Sequence, residues 1–493
     1  MTFIPLQIPP GVYRNGTDLQ SQGRWRDSNL VRWLDDTLRP IGGWRIRSNT
    51  AADAKIRGMK GWIDNSYDRW IGAGTYDALY VYNSAGTRFD ITPAGLVAGR
   101  EDAVAFTGYG GGLYSAYGYG IARPDTVRIQ PATSWALDTW GEYLVAANQD
   151  DGKLYQWELN TATPAAVIAN APTSCRSLVV SEERFLFALG AGGNPKLVQW
   201  SDRENNTTWT PSATNEAGDL ELQTTGLIMC GVRVRGQTLI LTSTDAHAAS
   251  YQGPPYVYGI ERVGTSCGLA ANEAVAVVDQ GAFWMGAHAF YAYTGGAVTE
   301  IQSDVSDYVF SDMNRGQISK AFAVSNAKFG EIFWFYPSGA STENNRYVLF
   351  NYIENTWAIG NLARTAGIDA GAIRQPIWAS ATDDKLYEHE IGYLYDAETP
   401  YAETGPIMLG TGEQVMSVTD MIPDERSQGD VNATFKTRFY PNGTERDYGP
   451  YSMSNPTSIR FTGRQVRMRI EGVANSDWRV GINRLDAVPG GKR

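Results

Sequence analysis

This chain of 493 residues contains few of the side chains from which catalytic and metal sites are usually built. It has only three cysteines and three histidines, namely Cys175, Cys230, Cys267, His247, His288 and His389. So few cysteines form no disulfide framework, and folding therefore does not require an oxidising compartment. The histidines lie in separate segments without metal-ligand spacing. We expect no metal, no cofactor and no catalytic residues, and we predict that the protein is not an enzyme.

Long apolar runs are also missing, and charge is sparse. No run of about 18 apolar residues occurs, so we expect no membrane span, and the start MTFIPLQIPPGVYRNG lacks the features of a secretion signal. We therefore expect synthesis in a cytoplasm. Charged residues make up 19% and the net charge is -11, which disfavours a basic nucleic-acid binder. An acidic wall still suits a conduit through which nucleic acid passes without being held.

Glycine and aromatic residues are abundant instead. The chain has 53 Gly, 15 Trp, 27 Tyr and 16 Phe, and 43% of its residues are hydrophobic. Aromatic side chains favour strands, and glycine favours the tight turns between them. The composition therefore predicts an all-β protein.

One motif has the form of a catalytic signature. Gly264-Thr265-Ser266-Cys267-Gly268 matches GxSxG, in which an active serine stands between a strand and a helix. The residues before Ser266 could form a strand, but those after it soon resemble a strand again. We favour a turn, with a working serine as the alternative.

A two-part pattern repeats along the middle of the chain. A short hydrophobic strand follows a turn residue, and about ten residues later a second strand ends in an aromatic residue. The paired segments are 69–72 with 79–82, 141–147 with 153–157, 183–190 with 196–200, 236–243 with the strand ending at 251, 281–287 with 289–293, 330–336 with 346–352 and, more weakly, 376–381 with 385–390. Five closing aromatics, Trp157, Trp200, Tyr251, Tyr293 and Tyr352, are 43, 51, 42 and 59 residues apart.

Spacings of this size are typical of β-propeller blades, which have about 40–50 residues and four strands. We predict a β-propeller of six or seven blades over residues 51–400, preceded by an N-terminal arm with the first strands at 1–50. A series of β-sandwich domains is the alternative, since it gives similar alternation.

Residues 94–133 fall outside the repeat and contain the tract TGYGGGLYSAYGYG at 107–120. Glycine gives such a tract freedom, and tyrosine gives it amphipathic rings that suit contacts with a partner. We therefore predict a subunit or partner interface that includes Tyr109, Tyr114, Tyr117 and Tyr119. A surface loop without a partner is the alternative.

The character of the sequence changes again near residue 405. Val466, Met468 and Ile470 alternate with Arg467 and Arg469, which predicts a strand with one apolar and one basic face. We predict an antiparallel β-sandwich over 405–493. Its basic cluster, a second candidate interface with an acidic neighbour, includes Arg460, Arg464, Arg467 and Arg469. A solvated strand face is the alternative.

The order of these segments resembles one protein family. The opening IPPGVYRNGTDLQSQGRWRDSNLVRWLDDTLRPIGGW, the tyrosine-glycine tract followed by ARPDT, LVQWSDRENNTTWTPSATNEAGDLEL (197–222) and VGTSCGLAANEAVAVVDQGAFWMG (263–286) are similar to tail nozzle, tail hub or packaged-DNA stabilisation proteins of short-tailed bacteriophages. The C-terminal strands resemble the terminal β domain of that family.

The resemblance implies a structural virion protein in the phage tail. It implies a homo-oligomer, a hexameric ring of propeller-bearing subunits around the DNA exit channel, below the portal and its adaptor ring. Such a ring retains packaged DNA without sequence-specific binding until ejection and supports tail fibres, spikes or a needle. Two alternatives remain: a propeller that binds or degrades carbohydrate, and a cellular propeller scaffold.

Overall fold

Strands form most of the structure. A computed structural model describes residues 3–108, 120, 123–408, 414–441 and 443–490. Within these ranges there is one α-helix, Ser306–Asp312, and there are four 3-10 helices, Asp18–Ser21, Ala191–Gly193, Arg315–Lys320 and Ala327–Phe329. The all-β prediction is confirmed.

Seven four-stranded antiparallel sheets form the blades of a propeller. Their strands are, for blade 1, Gly58–Ile63, Arg69–Gly74, Leu79–Tyr82 and Arg88–Asp90; for blade 2, Trp135–Trp140, Tyr143–Asn148, Leu154–Trp157 and Ala166–Val167; for blade 3, Ser177–Val180, Leu186–Leu189, Leu197–Trp200 and Gly218–Glu221; for blade 4, Ile228–Val234, Gln237–Thr242, Asp245–Gly253 and Val257–Thr265; for blade 5, Val275–Val278, Gly281–Met285, Phe290–Tyr293 and Val298–Ile301; for blade 6, Phe322–Asn326, Glu331–Tyr336, Arg346–Asn351 and Thr356–Asn361; and for blade 7, Arg364–Ile368, Ile377–Ser380, Leu386–His389 and Trp44–Ile46.

The first strands of successive blades lie side by side around a central channel, and the first strand of blade 7 lies beside that of blade 1. The ring closes through blade 7, whose outer strand Trp44–Ile46 comes from the N-terminal part of the chain and pairs with Tyr387–His389. Closure in this way leaves no open gap between the first and last blades. The predicted β-propeller is confirmed, and seven blades lie within the predicted range.

Packing between blades is dominated by large aromatic side chains. Trp378 of blade 7 lies with its ring centre 5.1 Å from Phe333 and 5.4 Å from Phe335 of blade 6. All three are essentially inaccessible to solvent. Burial of each such side chain stabilises the fold by about 1.5–3 kcal/mol, which explains why this charge-poor sequence contains so many aromatic residues.

Two further antiparallel sheets lie outside the propeller. One has the strand order Phe3–Pro5, Arg484–Pro489, Met416–Ile422 and Thr457–Gly463, and the other Trp25–Asn29, Tyr401–Thr404, Gln465–Gly472, Val431–Arg438 and Arg446–Ser452, with Ile407–Met408 also paired to Gln465–Gly472. Phe435 of the second sheet stacks on Phe461 of the first at 4.8 Å. The described residues thus place two sheets in contact, and the β-sandwich assignment stays a prediction.

Strands from the N-terminal residues belong both to the propeller and to the two C-terminal sheets. The predicted domain boundaries 1–50, 51–400 and 405–493 do not include this sharing. Phe3–Pro5 and Trp25–Asn29 join the two C-terminal sheets, whereas Trp44–Ile46 belongs to blade 7. The Ser28 hydroxyl also donates to the Ile359 carbonyl, 2.7 Å away, along the outer edge of blade 6. The N-terminal strand thereby covers an edge that would otherwise be free to pair with another chain.

A strand pair between these N-terminal strands, Val31–Leu34 with Thr37–Pro40, is anchored by a buried ion triad. The Arg32 guanidinium donates to Glu331 of blade 6 at 2.8 Å and to Glu390, which follows blade 7, at 2.5 Å. Burial raises the pKa of Glu331 to about 7 despite the adjacent arginine. The triad therefore joins the N-terminal strand pair to blade 6 and to the end of blade 7, the blade through which the ring closes.

Candidate functional site: the central channel and its two ends

The first strands of blades 1 to 5 line a cavity of about 290 Å³ in the central channel. We call the end at which these strands begin the upper end, and the end at which they finish the lower end. The cavity is lined by both polar and aliphatic residues, and Leu137, Val179 and Val232 are among the aliphatic ones. Its ionisable lining groups are few, namely Lys60, Asp138, Cys230, Arg233 and Glu273.

Asp138 joins four blades near the lower end. Its Oδ1 atom accepts hydrogen bonds from Lys60 of blade 1 at 2.8 Å and from Arg233 of blade 4 at 3.1 Å. Its Oδ2 atom accepts from the Val180 amide of blade 3 at 2.9 Å. Burial alone would raise the pKa of this carboxyl, but the two cations hold it below its ordinary value. Asp138 is therefore ionised and holds these blades together.

Glu273 is the second carboxyl in the cavity wall. No hydrogen bond or ion pair joins its side chain to any residue that the structure describes. Burial raises its pKa to about 8. Burial and the neighbouring Glu273 also raise the pKa of the Cys230 thiol. At neutral pH both groups are therefore mainly protonated.

The upper end of the channel is crossed by the connection between blades 1 and 2. Lys320, which precedes blade 6, has a fully buried side chain and forms ion pairs with Asp102 of this connection and with Glu343 at 2.6 Å. Glu343 also pairs with Arg57 of blade 1 at 2.6 Å. Asn272 reaches from blade 5 to Ser134 at 3.1 Å. These contacts tie opposite sides of the ring together.

A strand pair, Val104–Gly108 with Arg123–Gln130, extends from this crossing connection. Two contacts fix its base: Gln317 accepts from the Ala103 amide, and Ser319 accepts from the Ala132 amide, each at 3.0 Å. The predicted interface residues Tyr109, Tyr114, Tyr117 and Tyr119 lie outside the described residues. Their role stays a prediction, and the structure describes only the strands on either side of them, which extend from the upper end.

The C-terminal arginines lie on two different sheets. Arg467 and Arg469 lie on Gln465–Gly472, where they alternate with buried Val466, Met468 and Ile470 as predicted. Arg464 precedes that strand, next to the Tyr440 ring at 5.2 Å. The exposed Arg460 lies on the strand Thr457–Gly463 of the other sheet.

Acidic side chains of the same chain balance much of this cluster. Arg467 pairs with Asp18 at 2.6 Å and with Glu445 at 3.2 Å, and Arg469 lies 3.7 Å from Glu403. Hydrogen bonds from Arg438 and Arg467 outweigh partial burial and lower the pKa of Asp18. Much of the predicted basic face is thus neutralised internally, and its role as an interface stays a prediction.

Ser266 of the GxSxG match lies in a turn between blades. It follows the strand Val257–Thr265 and has a left-handed φ of 56°, but the next regular element is the strand Val275–Val278. The nearby Asp245 contacts buried His247 at 3.2 Å. The favoured interpretation as a turn is therefore confirmed.

Carbohydrate binding would be favoured by exposed aromatics clustered beside carboxylates. The two most exposed tyrosines among the described residues, Tyr67 and Tyr256, are 87% and 78% exposed. They lie in loops of blades 1 and 4, which are not neighbours. Nor does the described part of the chain contain three or more His, Cys, Asp or Glu residues placed to hold a metal ion. No helix in it is long and apolar enough to span a membrane.

Comparison with known proteins shows similarity to β-propellers. No family model and no curated protein matches the chain. Virginiamycin B lyase from Staphylococcus aureus is similar over 70% of this chain and 99% of its own, with 7% identity and a TM-score of 0.44. The Neurospora crassa Pan2 WD40 domain is similar over 74% of this chain and 99% of its own, with 6% identity and a TM-score of 0.42. The Cps50 (Swd1) propeller domain of Myceliophteria thermophila is similar over 71% of this chain and 99% of its own, with 8% identity and a TM-score of 0.41.

These similarities concern fold class, since such low identities carry no inference about activity or partners. The expectation that this chain is not an enzyme stays a prediction. The channel residues Lys60, Asp138, Glu273 and Lys320 were not singled out in the sequence. The one local signal is a lone acid in an apolar segment, as at Glu273 in LAANEAVAVV.

Proposed function

We propose that this chain is a structural subunit of a short-tailed bacteriophage tail. It assembles into a ring, hexameric by family resemblance, around the DNA exit channel. The ring retains packaged DNA and attaches to the portal-side adaptor and to fibres, a spike or a needle. The observation that supports this proposal is the order of family-like segments along nearly the whole sequence, from IPPGVYRNG to the C-terminal strands.

A stiff subunit is what such a ring requires, since the packaged genome exerts force on it. The propeller is closed by Trp44–Ile46, tied near its lower end through Asp138 and tied across its upper end through Lys320. These ties hold blades together that are distant in sequence. A body of this kind transmits load with little internal rearrangement.

A closed ring needs interfaces that differ on the two sides of each subunit and close by rotation. A stable contact buries more than about 1,200 Å². The strand pair Val104–Gly108 with Arg123–Gln130 offers an arm with a fixed base for such a contact. The net charge of -11 favours a lumen that retains DNA without binding it tightly.

Replacing residues 107–120 by a short Gly-Ser linker tests the role of this arm. We expect the propeller to stay folded, because the anchors at Ala103 and Ala132 remain, and we expect ring assembly on the adaptor to be lost. Circular dichroism reports the fold, and native mass spectrometry reports the assembly. Replacing the exposed loop at 210–214 in the same way is the matched control, and it should assemble normally. A normal ring from the 107–120 variant would refute the assignment of this interface.

A further inference from the structure

The lower end of the central cavity carries more positive charge than its partners balance. Lys60 and Arg233 both donate to the same oxygen of Asp138. An ammonium has three N–H donors and a guanidinium has five. No other acceptor contacts either side chain among the residues that the structure describes. Two cations therefore share one carboxylate and retain unused donors.

Both cations are accessible from the solvent. The side chains of Lys60 and Arg233 are 31% and 43% exposed, whereas that of Asp138 is 7% exposed. The cavity volume of about 290 Å³ is several times the roughly 30 Å³ that a water molecule occupies. A small ion with its own hydration therefore fits.

We propose that this end of the cavity binds a small oxyanion between the Lys60 ammonium and the Arg233 guanidinium. Charge-assisted hydrogen bonds from these two groups are the chemistry that recognises sulfate, phosphate or carboxylate. The residues of blade 3 that line the cavity, Ser177, Leu178 and Val179, add no ionisable group. Ring assembly is not needed for this site, so the proposal stands or falls independently of the proposed function.

Glu273 makes the site depend on pH. The other ionisable groups facing the cavity are Lys60, Asp138, Cys230 and Arg233. Because the pKa of Glu273 is about 8, its carboxyl is mainly neutral at pH 7 and does not oppose an anion. As pH rises through this value, Glu273 becomes charged. It precedes the strand Val275–Val278 and lies towards the upper end of the cavity, so it opposes an anion at the lower end across the shared cavity and not by contact.

Sulfate is the probe of choice, because its charge does not change between pH 7 and pH 9. Calorimetry on the full chain, at constant ionic strength set with chloride, measures its binding. We expect binding at pH 7 that is at least about tenfold weaker in Arg233→Gln. Arg184→Gln, which removes an exposed arginine paired with Glu204, is the matched control and should bind like the native protein. If Arg233→Gln does not fold, Lys60→Gln provides the same test.

Two further comparisons complete the experiment. Binding to the native protein should weaken at pH 9, whereas Glu273→Gln should bind equally at both values. Acetate in place of sulfate shows whether carboxylates share the site. The proposal is overturned if native protein binds sulfate no better than chloride, or if Arg184→Gln and Arg233→Gln lose affinity equally. Equal native affinity at pH 7 and pH 9 would overturn the role of Glu273.

Discussion

At the scale of single residues, two carboxyls of the cavity wall illustrate how partners decide the charge of a group. Asp138 has two cations beside it and stays ionised, whereas Glu273 has none and is held protonated by burial. Both line the same cavity. The difference arises because each opposite charge nearby favours the ionised form and desolvation disfavours it.

Glu273→Gln should stabilise the protein, and more so at high pH. The folded-state pKa of about 8 lies above the ordinary value of 4.5, so the folded protein binds more protons between these values and loses stability as pH rises through them. The variant cannot ionise here and should be more stable at pH 9 by about 1.4 kcal/mol for each unit by which the folded-state pKa exceeds the ordinary value, at most about 5 kcal/mol. Near pH 4 the difference should vanish. Urea unfolding in sulfate-free buffer measures it.

Glu300→Gln, on the exposed outer strand of the same blade, is the control and should change little at either pH. If Glu273→Gln proved less stable than the native protein at pH 9, the carboxyl would have a stabilising partner, contrary to this account.

Arg32→Ala should destabilise the protein strongly, because it leaves Glu331 and Glu390 without their shared cation. Removing one partner of a buried ion pair costs about 3–5 kcal/mol. The native pKa of Glu331 is already about 7, so this carboxyl becomes neutral as pH falls and the loss should shrink towards pH 4.5. Unfolding midpoints at pH 5 and pH 8 check this. Arg39→Ala, whose carboxylate contact is a single 3.4 Å pair, should cost much less, and an equal loss at both pH values would contradict the prediction.

At the scale of elements, closure of the propeller ring depends on one short strand that the N-terminal part of the chain contributes to blade 7. Trp44–Ile46 has three residues, yet it supplies the fourth strand of blade 7. Arg45 and Arg47 also pair with Glu388, at 2.7 and 2.5 Å. Backbone pairing across this closure joins residues that are more than 300 positions apart in the chain.

Arg45→Pro should weaken this closure, because proline removes a backbone donor from the strand. We expect a loss of about 1–3 kcal/mol in the free energy of unfolding, the usual cost of leaving a hydrogen-bonding group without its partner. Arg45→Ala keeps the donor and removes only an ion pair whose arginine is 66% exposed, so it should cost less than about 1 kcal/mol. Thermal unfolding compares the two variants. Similar midpoints for both would mean that this pairing contributes little.

The repeating pairs found in the sequence are the second and third strands of every blade. These strands are predictable because many are buried along their whole length, as in Leu186–Leu189, and give continuous apolar runs. The outer strands are more exposed, as in Ala166–Val167, and give weaker patterns. The closing strand was missed because its sequence neighbours belong to other sheets.

The residues of the candidate site were not predictable either, because they are distant from one another in the sequence. Lys60, Asp138 and Arg233 belong to three different blades. Only the closed ring brings the Lys60 ammonium within 2.8 Å and the Arg233 guanidinium within 3.1 Å of Asp138 Oδ1. A single sequence contains no signal for such a meeting. The alternation of Val466, Met468 and Ile470 with arginines was predictable because it is local, whereas the pairing of Arg467 with Asp18 joins the two ends of the chain.

At the scale of the whole molecule, the central claim is that this propeller works as a ring subunit of a phage tail. The structure supplies a closed, internally tied body with an arm at its upper end. The family resemblance supplies the ring and its partners. These are separate arguments, and a direct test must therefore address assembly.

The most direct test is the mass of the purified protein in solution, by light scattering or native mass spectrometry, alone and with a candidate adaptor ring. The account predicts a hexamer, or a monomer that becomes a hexamer only on the adaptor. A protein that remains monomeric and ignores the adaptor would contradict the account, and a glycan array would then test the carbohydrate-binding alternative.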